Sequence, residues 1–209
     1  LPTHPTSAEL IDKAFSRAAR AGRAKDGHDA QQSMLQTAAN ILSDNLENVV
    51  TAWPDFDDLD PFYRELADAE RDVDELRQHL SEVTWASRKT DDIRDEYQSR
   101  LRNADVEGAR KLRKQAFARL ADITREVSDD LAALGEARDT LRKFPDIRPE
   151  QPVIVIAGYP NVGKSSFVNR VTRADNEIAA YPFTTTQIHV GHVEDDHIRY
   201  QLVDTPGLL

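Results

Sequence analysis

The 209-residue chain has no cysteine, which excludes a disulfide scaffold, a cysteine-ligated zinc site and an iron–sulfur cluster. Long apolar runs are also missing. The longest, Val153 to Ala157, has five residues against the ~20 needed to cross a bilayer, and no apolar signal segment follows the N-terminus. These absences predict a soluble, cytoplasmic protein with no membrane partner. Lysine is scarce, with 7 against 20 arginines, while 24 aspartates and 13 glutamates bring the net charge to -10. An acidic total excludes coating of nucleic acid by bulk charge. Excess Asp with Arg favoured over Lys predicts adaptation to a high-salt cytoplasm, where a Debye length of ~3 Å silences repulsion between surface acids. The competing reading is an ordinary acidic helical protein.

What is there divides near residue 150. Up to Phe144 every apolar pattern has helical period. Thr6 with Glu9 forms a capping-box pattern before a helix over 7–25 that buries Ile11, Phe15 and Ala18. Gly22 lies on that stripe, where it lets a neighbouring helix approach closely. A second helix over 29–52 carries Leu35, Ala38, Leu42, Leu46 and Val49, and Pro54 stops it. Asp60-Pro61 opens a third, whose Phe62, Leu66, Ala69, Val73, Leu76, Leu80 and Val83 alternate four and three apart as a packing seam. The phase breaks at Trp85 and resumes at Ile93, Tyr97 and Leu101, as a kink or as a new helix capped by Thr90. From Asp105 to Lys143 one stripe from Ala109 to Leu141 predicts a single helix of about 58 Å. Helices this long do not stand alone in water, so residues 1–145 read as an antiparallel bundle.

Pro145, Pro149 and Pro152 mark a linker over 146–152, after which the grammar is α/β. Val153–Ala157 reads as a strand buried on both faces, and Ile188–Val193 and Ile198–Val203 as strands joined by a turn at Glu194–Asp196. Between strand and helix stands Gly158-Tyr159-Pro160-Asn161-Val162-Gly163-Lys164-Ser165, followed by Ser166. It fits the G-x-x-x-x-G-K-[ST] phosphate loop, in which consecutive N–H groups and a helix N-terminus face phosphate oxygens. Lys164 would lie along the β- and γ-phosphates and Ser165 would give its hydroxyl to Mg²⁺. Farther on, Asp204-Thr205-Pro206-Gly207 ends a strand, where Asp204 can hold a Mg²⁺-bound water and the Gly207 N–H can reach the γ-phosphate. Either motif alone has a bland reading as a turn; together they favour phosphate. Between them "YPFTTTQ" offers Thr184, Thr185 and Thr186 as a sensor of Mg²⁺ and γ-phosphate.

"GYPNVGKSS", "YPFTTT" and "DTPGLL" resemble the first motifs of the Obg-like translation-factor GTPases, and "PTSAELIDKAFSRAARA" with the long helical region resembles the Nog (nucleolar GTP-binding protein 1) subfamily. The composition points to an archaeal, haloarchaeal member. The fold class expected is α plus α/β: a helical bundle followed, over 153–209, by the first part of a Ras-like P-loop GTPase domain. The resemblance implies binding of GTP and GDP with Mg²⁺, slow hydrolysis, and a role with the large ribosomal subunit precursor, as a monomer without DNA. It makes Lys164, Thr185 and Gly207 the catalytic set, and Ser165, Thr185 and Asp204 the Mg²⁺ set, Asp204 through water. Gly158 to Ser166 and Asp204 to Leu208 would line the nucleotide. Leu208 stands where many GTPases place a water-orienting Gln, so hydrolysis by that route is excluded, as in the family. Asn161 sits where potassium-dependent relatives coordinate K⁺. The chain begins at Leu1 and stops after the Asp204–Gly207 motif, before any [NT]KxD guanine-reading motif. It is therefore expected to be an inactive fragment, in which the choice of GTP over ATP rests on the resemblance. Two rivals remain: a helical scaffold whose G region stays empty, and a P-loop NTPase of other base specificity.

Other signals carry less. His189 and His192, three apart on a strand, point to opposite faces and cannot share an ion. Trp53 and Trp85 read as bundle core, and Asp57–Asp58, Asp91–Asp92 and Asp129–Asp130 as solvated acids. Two basic stretches stand out: Lys13, Arg17 and Arg20 on one face of the first helix, and Arg100, Arg102, Arg110, Lys111, Arg113, Lys114 and Arg119. They are either salt-bridged surface or a phosphate-contacting face for RNA.

Overall fold

A computed structural model describes residues 4–144, 146–148, 150–172, 177–180 and 187–205. They pack as two compact units, one from residues 1–54 and 73–137, the other from 55–72 and 138–209.

The first unit is a helical bundle. It contains α1 (Ser7–Arg23), α2 (Gly27–Thr51), α4 (Val73–Arg102), α5 (Val106–Glu126) and most of α6 (Ser128–Leu141). Cross-helix contacts set the directions. Lys13 donates to Asn45 at 3.0 Å on α2, Arg94 donates to Asn40 at 3.0 Å, and Phe15 stacks on Phe117 at 4.5 Å between centroids. A second contact on each side, Gly22 with Met34, Ser87 with Ser43, and Ser7 with Ser128 at the start of α6, has one number higher and the other lower, so neighbours run antiparallel. The core is Leu10, Leu35, Leu42, Leu46, Ile93, Leu101 and Leu120, all buried.

The capping box is present: Thr6 accepts from the Glu9 N–H and the Glu9 carboxylate accepts from the Thr6 N–H. That bonding holds the Glu9 carboxyl below its usual range, with the Thr6 backbone bond the main cause. Several expectations are corrected. On α1 the buried residues are Leu10, Ala14 and Ala18, while Ile11 and Phe15 sit half-buried on the α5 side. The third helix ends at Glu70, because Arg71 turns extended (φ -144°, ψ 126°), so the seam to Val83 is two helices. Phe62 on it is exposed. The side chains of Leu66 and Ala69 lie outside the described residues. Helix α4 runs unbroken past Trp85, with Thr90 buried inside it, so the phase break starts no new helix capped by Thr90. Trp85 is 40% exposed and no core residue, whereas Trp53 is buried and donates its indole N–H to His4. The expected 105–143 helix parts at Val127 (φ -96°, ψ 20°) into α5 and α6.

The second unit holds α3 (Pro61–Glu70), β1 (Val153–Ile156), α7 (Lys164–Val171), β2 (Glu177–Ala180), β3 (Gln187–Asp195) and β4 (Ile198–Asp204). Asp60 caps α3 by accepting from the Phe62 N–H, as its Asp-Pro start predicts. The sheet order is β1-β4-β3-β2, with β1 parallel to β4 and the other pairs antiparallel. Asp195 pairs with Ile198, so the hairpin turn is Asp196–His197, one to two residues beyond the expected place, with both at positive φ. Strand β2 had no sequence signal. In this chain β1 is not buried on both faces: Val153, Ile154 and Val155 are 41–58% exposed, with β1 at one edge of the four described strands and α7 against β3 and β4. The 146–152 segment is no free tether. Ile147 enters a core with Ile188, Val190 and Val203, and its carbonyl accepts from the Tyr63 hydroxyl of α3. Burial raises the Tyr63 pKa, partly offset by that bond.

Candidate phosphate-binding site

The site stands at the carboxyl ends of two parallel strands, where open α/β sheets place their ligands. The register Ile156↔Asp204 brings the end of β1, and the loop that leaves it, beside the end of β4. Thr205 fastens the two ends, giving its N–H and its hydroxyl to the Ile156 carbonyl at 3.1 and 3.0 Å.

The loop from Gly158 to Gly163 then reverses the chain into α7. Two residues need left-handed backbone: Asn161 (φ 61°), a type that tolerates it, and Gly163 (φ 93°), which leads α7 as its N-cap. Tyr159 and Val162 are open at 71% and 62% exposure, so no core holds this loop closed. Pro160 and Asn161 are exposed beside them. Lys164 folds its ammonium back over the loop, donating to the Gly158 and Tyr159 carbonyls at 3.1 and 2.9 Å. This places one cation and a helix N-terminus at the loop's mouth, the requirement for a polyphosphate.

The metal side is equally defined. The Ser165 hydroxyl donates to Asp204 Oδ2. The serine proton is thereby committed, and its oxygen lone pairs remain for a cation. Asp204 is 4% exposed, and its other oxygen, Oδ1, is buried without a hydrogen-bond partner among the described residues. An orphaned buried carboxylate oxygen next to an aligned hydroxyl fits a hydrated divalent cation, so the residues fit Mg²⁺. Ser166 lies exposed in the first turn of α7. Thr184, Thr185, Thr186, Pro206, Gly207 and Leu208 lie outside the described residues.

Elsewhere, no group of three or more His, Asp or Glu side chains among the described residues could hold a metal. His189 and His192 both lie on β3, at register positions facing Asp204 and Gln201. Two of the paired acids do more than meet solvent: Asp91 accepts from Ser43 and Arg94, and Asp130 accepts from His79 at 2.7 Å. The basic stretches are not brought together. Lys13 reaches α2, which puts Arg17 and Arg20 on that flank, whereas α5 lies on the Phe15 flank. Within the second stretch Arg100 and Arg119 both bond Glu96, holding its carboxyl below the usual range with the Arg119 bond first. Arg113 lies over the Phe117 ring and bonds Gln31, and burial lowers its pKa. Arg17, Arg20, Arg102, Lys111 and Lys114 have no ion-pair partner among the described residues.

Sequence reasoning missed Gln201. It is fully buried on β4 and clasps the backbone of one residue, accepting from the Arg148 N–H at 2.8 Å and donating to the Arg148 carbonyl at 2.7 Å. A polar residue between Tyr200 and Leu202 was its signal in the sequence.

A strand, phosphate loop and helix, with a carboxylate closing the adjacent parallel strand, define a P-loop nucleotide-binding domain. Residues 153–209 match the 50S ribosome-binding GTPase family, and residues 1–148 match the NOG1 N-terminal helical domain. The chain belongs to the NOG1 family. It is 36% identical over 167 residues to Nucleolar GTP-binding protein 1 of Drosophila melanogaster, covering 79% of this chain and 26% of that one. It is also 36% identical over 180 residues to an uncharacterized protein of Methanocaldococcus jannaschii, covering 86% and 50%. The Nucleolar GTP-binding protein 1 of Caenorhabditis elegans is 31% identical over 217 residues, covering 98% and 31%. The chain thus spans about a quarter to a half of these relatives' length. Among the described residues no helix is long and apolar enough to cross a membrane.

Proposed function

We propose that the protein of which this chain is part is a GTP-binding, slowly hydrolysing switch that acts in assembly of the large ribosomal subunit. The observation that carries the nucleotide half is the pairing of Ser165 with Asp204 and the orphaned Asp204 Oδ1 beside the Lys164 loop. In this reading Gly158 to Ser166 hold the phosphates of GTP or GDP. Ser165, Thr185 and, through water, Asp204 hold Mg²⁺, which neutralises the phosphate charge that grows during transfer. Gly207 meets the γ-phosphate, and the loops of Thr185 and Gly207 order with GTP and relax after hydrolysis. Leu208 cannot orient water, so neutralisation falls to a K⁺ ion held by the Asn161 carboxamide, with Asn161 already in the left-handed turn at the loop's tip.

The ribosomal half is supported by the match to the 50S ribosome-binding GTPase family, by the nucleolar relatives and by the free cations of α1 and α5. Structured RNA is read by shape and backbone, which rigid helices bearing Arg and Lys can follow. Residues 1–145 then hold the particle, 146–152 join, and 153–209 bind nucleotide, in a monomer working in the cytoplasm. The acidic excess supports a high-salt cytoplasm of a haloarchaeal kind.

Titration of the full-length protein with fluorescent GTP and ATP analogues in Mg²⁺ tests the reading. GTP binding at least tenfold tighter than ATP is expected, with turnover faster in KCl than in NaCl at equal ionic strength. Equal affinity for the two nucleotides overturns the guanine assignment, and binding of neither overturns the switch.

A further inference from the structure

Asp204 serves the phosphate site only if β4 lies in one particular register against β1. That pairing is four residues long, Val153↔Gln201 to Ile156↔Asp204. An alternating apolar and polar pattern normally fixes register, but β1 is apolar at all four positions, Val153 to Ile156, and Gln201 to Asp204 of β4 are all buried, so neither strand carries one. A slip of one residue would carry Asp204 about 3.3 Å along the strand and turn its side chain to the other face. Something other than apolar patterning must hold the pair.

The start of the pairing supplies it. Gln201 is fully buried, and its amide accepts from the Arg148 N–H at 2.8 Å and donates to the Arg148 carbonyl at 2.7 Å, pairing with both backbone groups of that residue. Its own N–H donates to the Pro152 carbonyl at 2.9 Å, one residue before β1 begins. Only a carboxamide of this length can accept from an N–H and donate to a carbonyl of the same residue at once; Glu cannot donate and Met can do neither. Ile147, next to the clasped peptide, is anchored in the sheet core and by the Tyr63 hydroxyl. The chain entering β1 is therefore pinned to β4 at Gln201, and three residues later each strand delivers its functional end.

We propose that Gln201 is a positioning residue for the metal side of the phosphate site, pinning the β1/β4 register that sets Asp204 beside Ser165. It touches no nucleotide and acts through Asp204. The proposal rests on the phosphate-site reading above.

The test is the affinity of the full-length protein for a fluorescent GDP analogue, in Mg²⁺ and in EDTA, for the wild type and Gln201→Met. The gain in affinity that Mg²⁺ confers is expected to fall about tenfold or more in the variant, with affinity in EDTA held within about twofold. Equal losses in both buffers, or an unchanged gain, overturn the proposal and leave Gln201 as a folding residue. Should Gln201→Met not fold, hydrogen exchange of the Arg148 amide in the wild type decides. It is expected to be slower with Mg²⁺ and nucleotide than with nucleotide in EDTA, because linkage is reciprocal. The same rate in both overturns the proposal. A wild type that binds no nucleotide in either buffer overturns the phosphate-site reading and this proposal with it.

Discussion

Gly22 is where the packing of α1 on α2 can be weighed most closely. A Cβ built on it meets Met34 Cγ and Sδ at 2.5 Å, more than an ångström inside normal contact. Two effects of Gly22→Ala oppose each other. Loss of the glycine's conformational freedom favours the helix by about 0.5–1 kcal/mol. Overpacking costs about 1–3 kcal/mol, and the cost falls near the low end because Met34 is flexible and half-buried. The clash wins, and the expected result is a net loss of about 1 kcal/mol, which lowers Tm by about 2–4 °C for a chain of this size. In a Met34→Ala background the clash is gone and the same substitution should stabilise by about 0.5 kcal/mol. The coupling between the two positions is then about 1.5 kcal/mol, well above the scatter of independent sites. Urea titration followed by helical circular dichroism measures all four proteins. If Gly22→Ala stabilises equally in both backgrounds, α1 and α2 do not approach as described and the reasoning fails.

Three further outcomes follow. Asp196 (φ 45°) and His197 (φ 69°) form a two-residue turn that Asn-Gly suits better, so Asp196→Asn with His197→Gly should stabilise by about 1 kcal/mol; no rise in Tm would count against that turn. Glu96 is depressed chiefly by Arg119, so its contribution is present above the ordinary carboxylate pKa and lost as pH falls through its folded value. Glu96→Gln should therefore cost under about 1 kcal/mol at pH 7, since the pair is exposed, and nothing in acid below its folded value; a difference that persists there refutes the ion pair. Reversal of Arg17, Arg20, Arg110 and Lys114 to Glu should weaken association with large-subunit precursors at the cell's own salt by an order of magnitude or more, and undiminished association with the bundle still folded would leave these bases as solvated surface.

What was legible in the sequence was local. The Thr6–Glu9 capping box, the Asp60-Pro61 start and the turn from a strand through Gly158–Gly163 into a helix are written in residues a few positions apart, and each of these local structures forms. Stripe reading failed where the backbone broke without disturbing the spacing. Val73 continues the phase of the third helix although Arg71 is extended, and Leu131 continues that of Leu120 across Val127. It also misjudged burial at Trp85 and β1, because exposure depends on which elements cover a face and not on the residue type. The Gln201 clasp spans 53 positions between β4 and Arg148, a pairing no local pattern records. The same holds for the Ser165–Asp204 bond, whose partners were each found in the sequence and whose meeting needed the parallel register.

The central claim is that the loop led by Gly158 and closed by Lys164 binds the phosphates of a nucleotide. Its most direct measurement is the affinity of Lys164→Ala for GTP with Mg²⁺ in the full-length protein, with circular dichroism to check the fold. Among the described residues Lys164 bonds only two loop carbonyls, so its loss should leave the melting temperature in place and abolish tight binding. Affinity equal to the wild type would contradict the assignment of this loop.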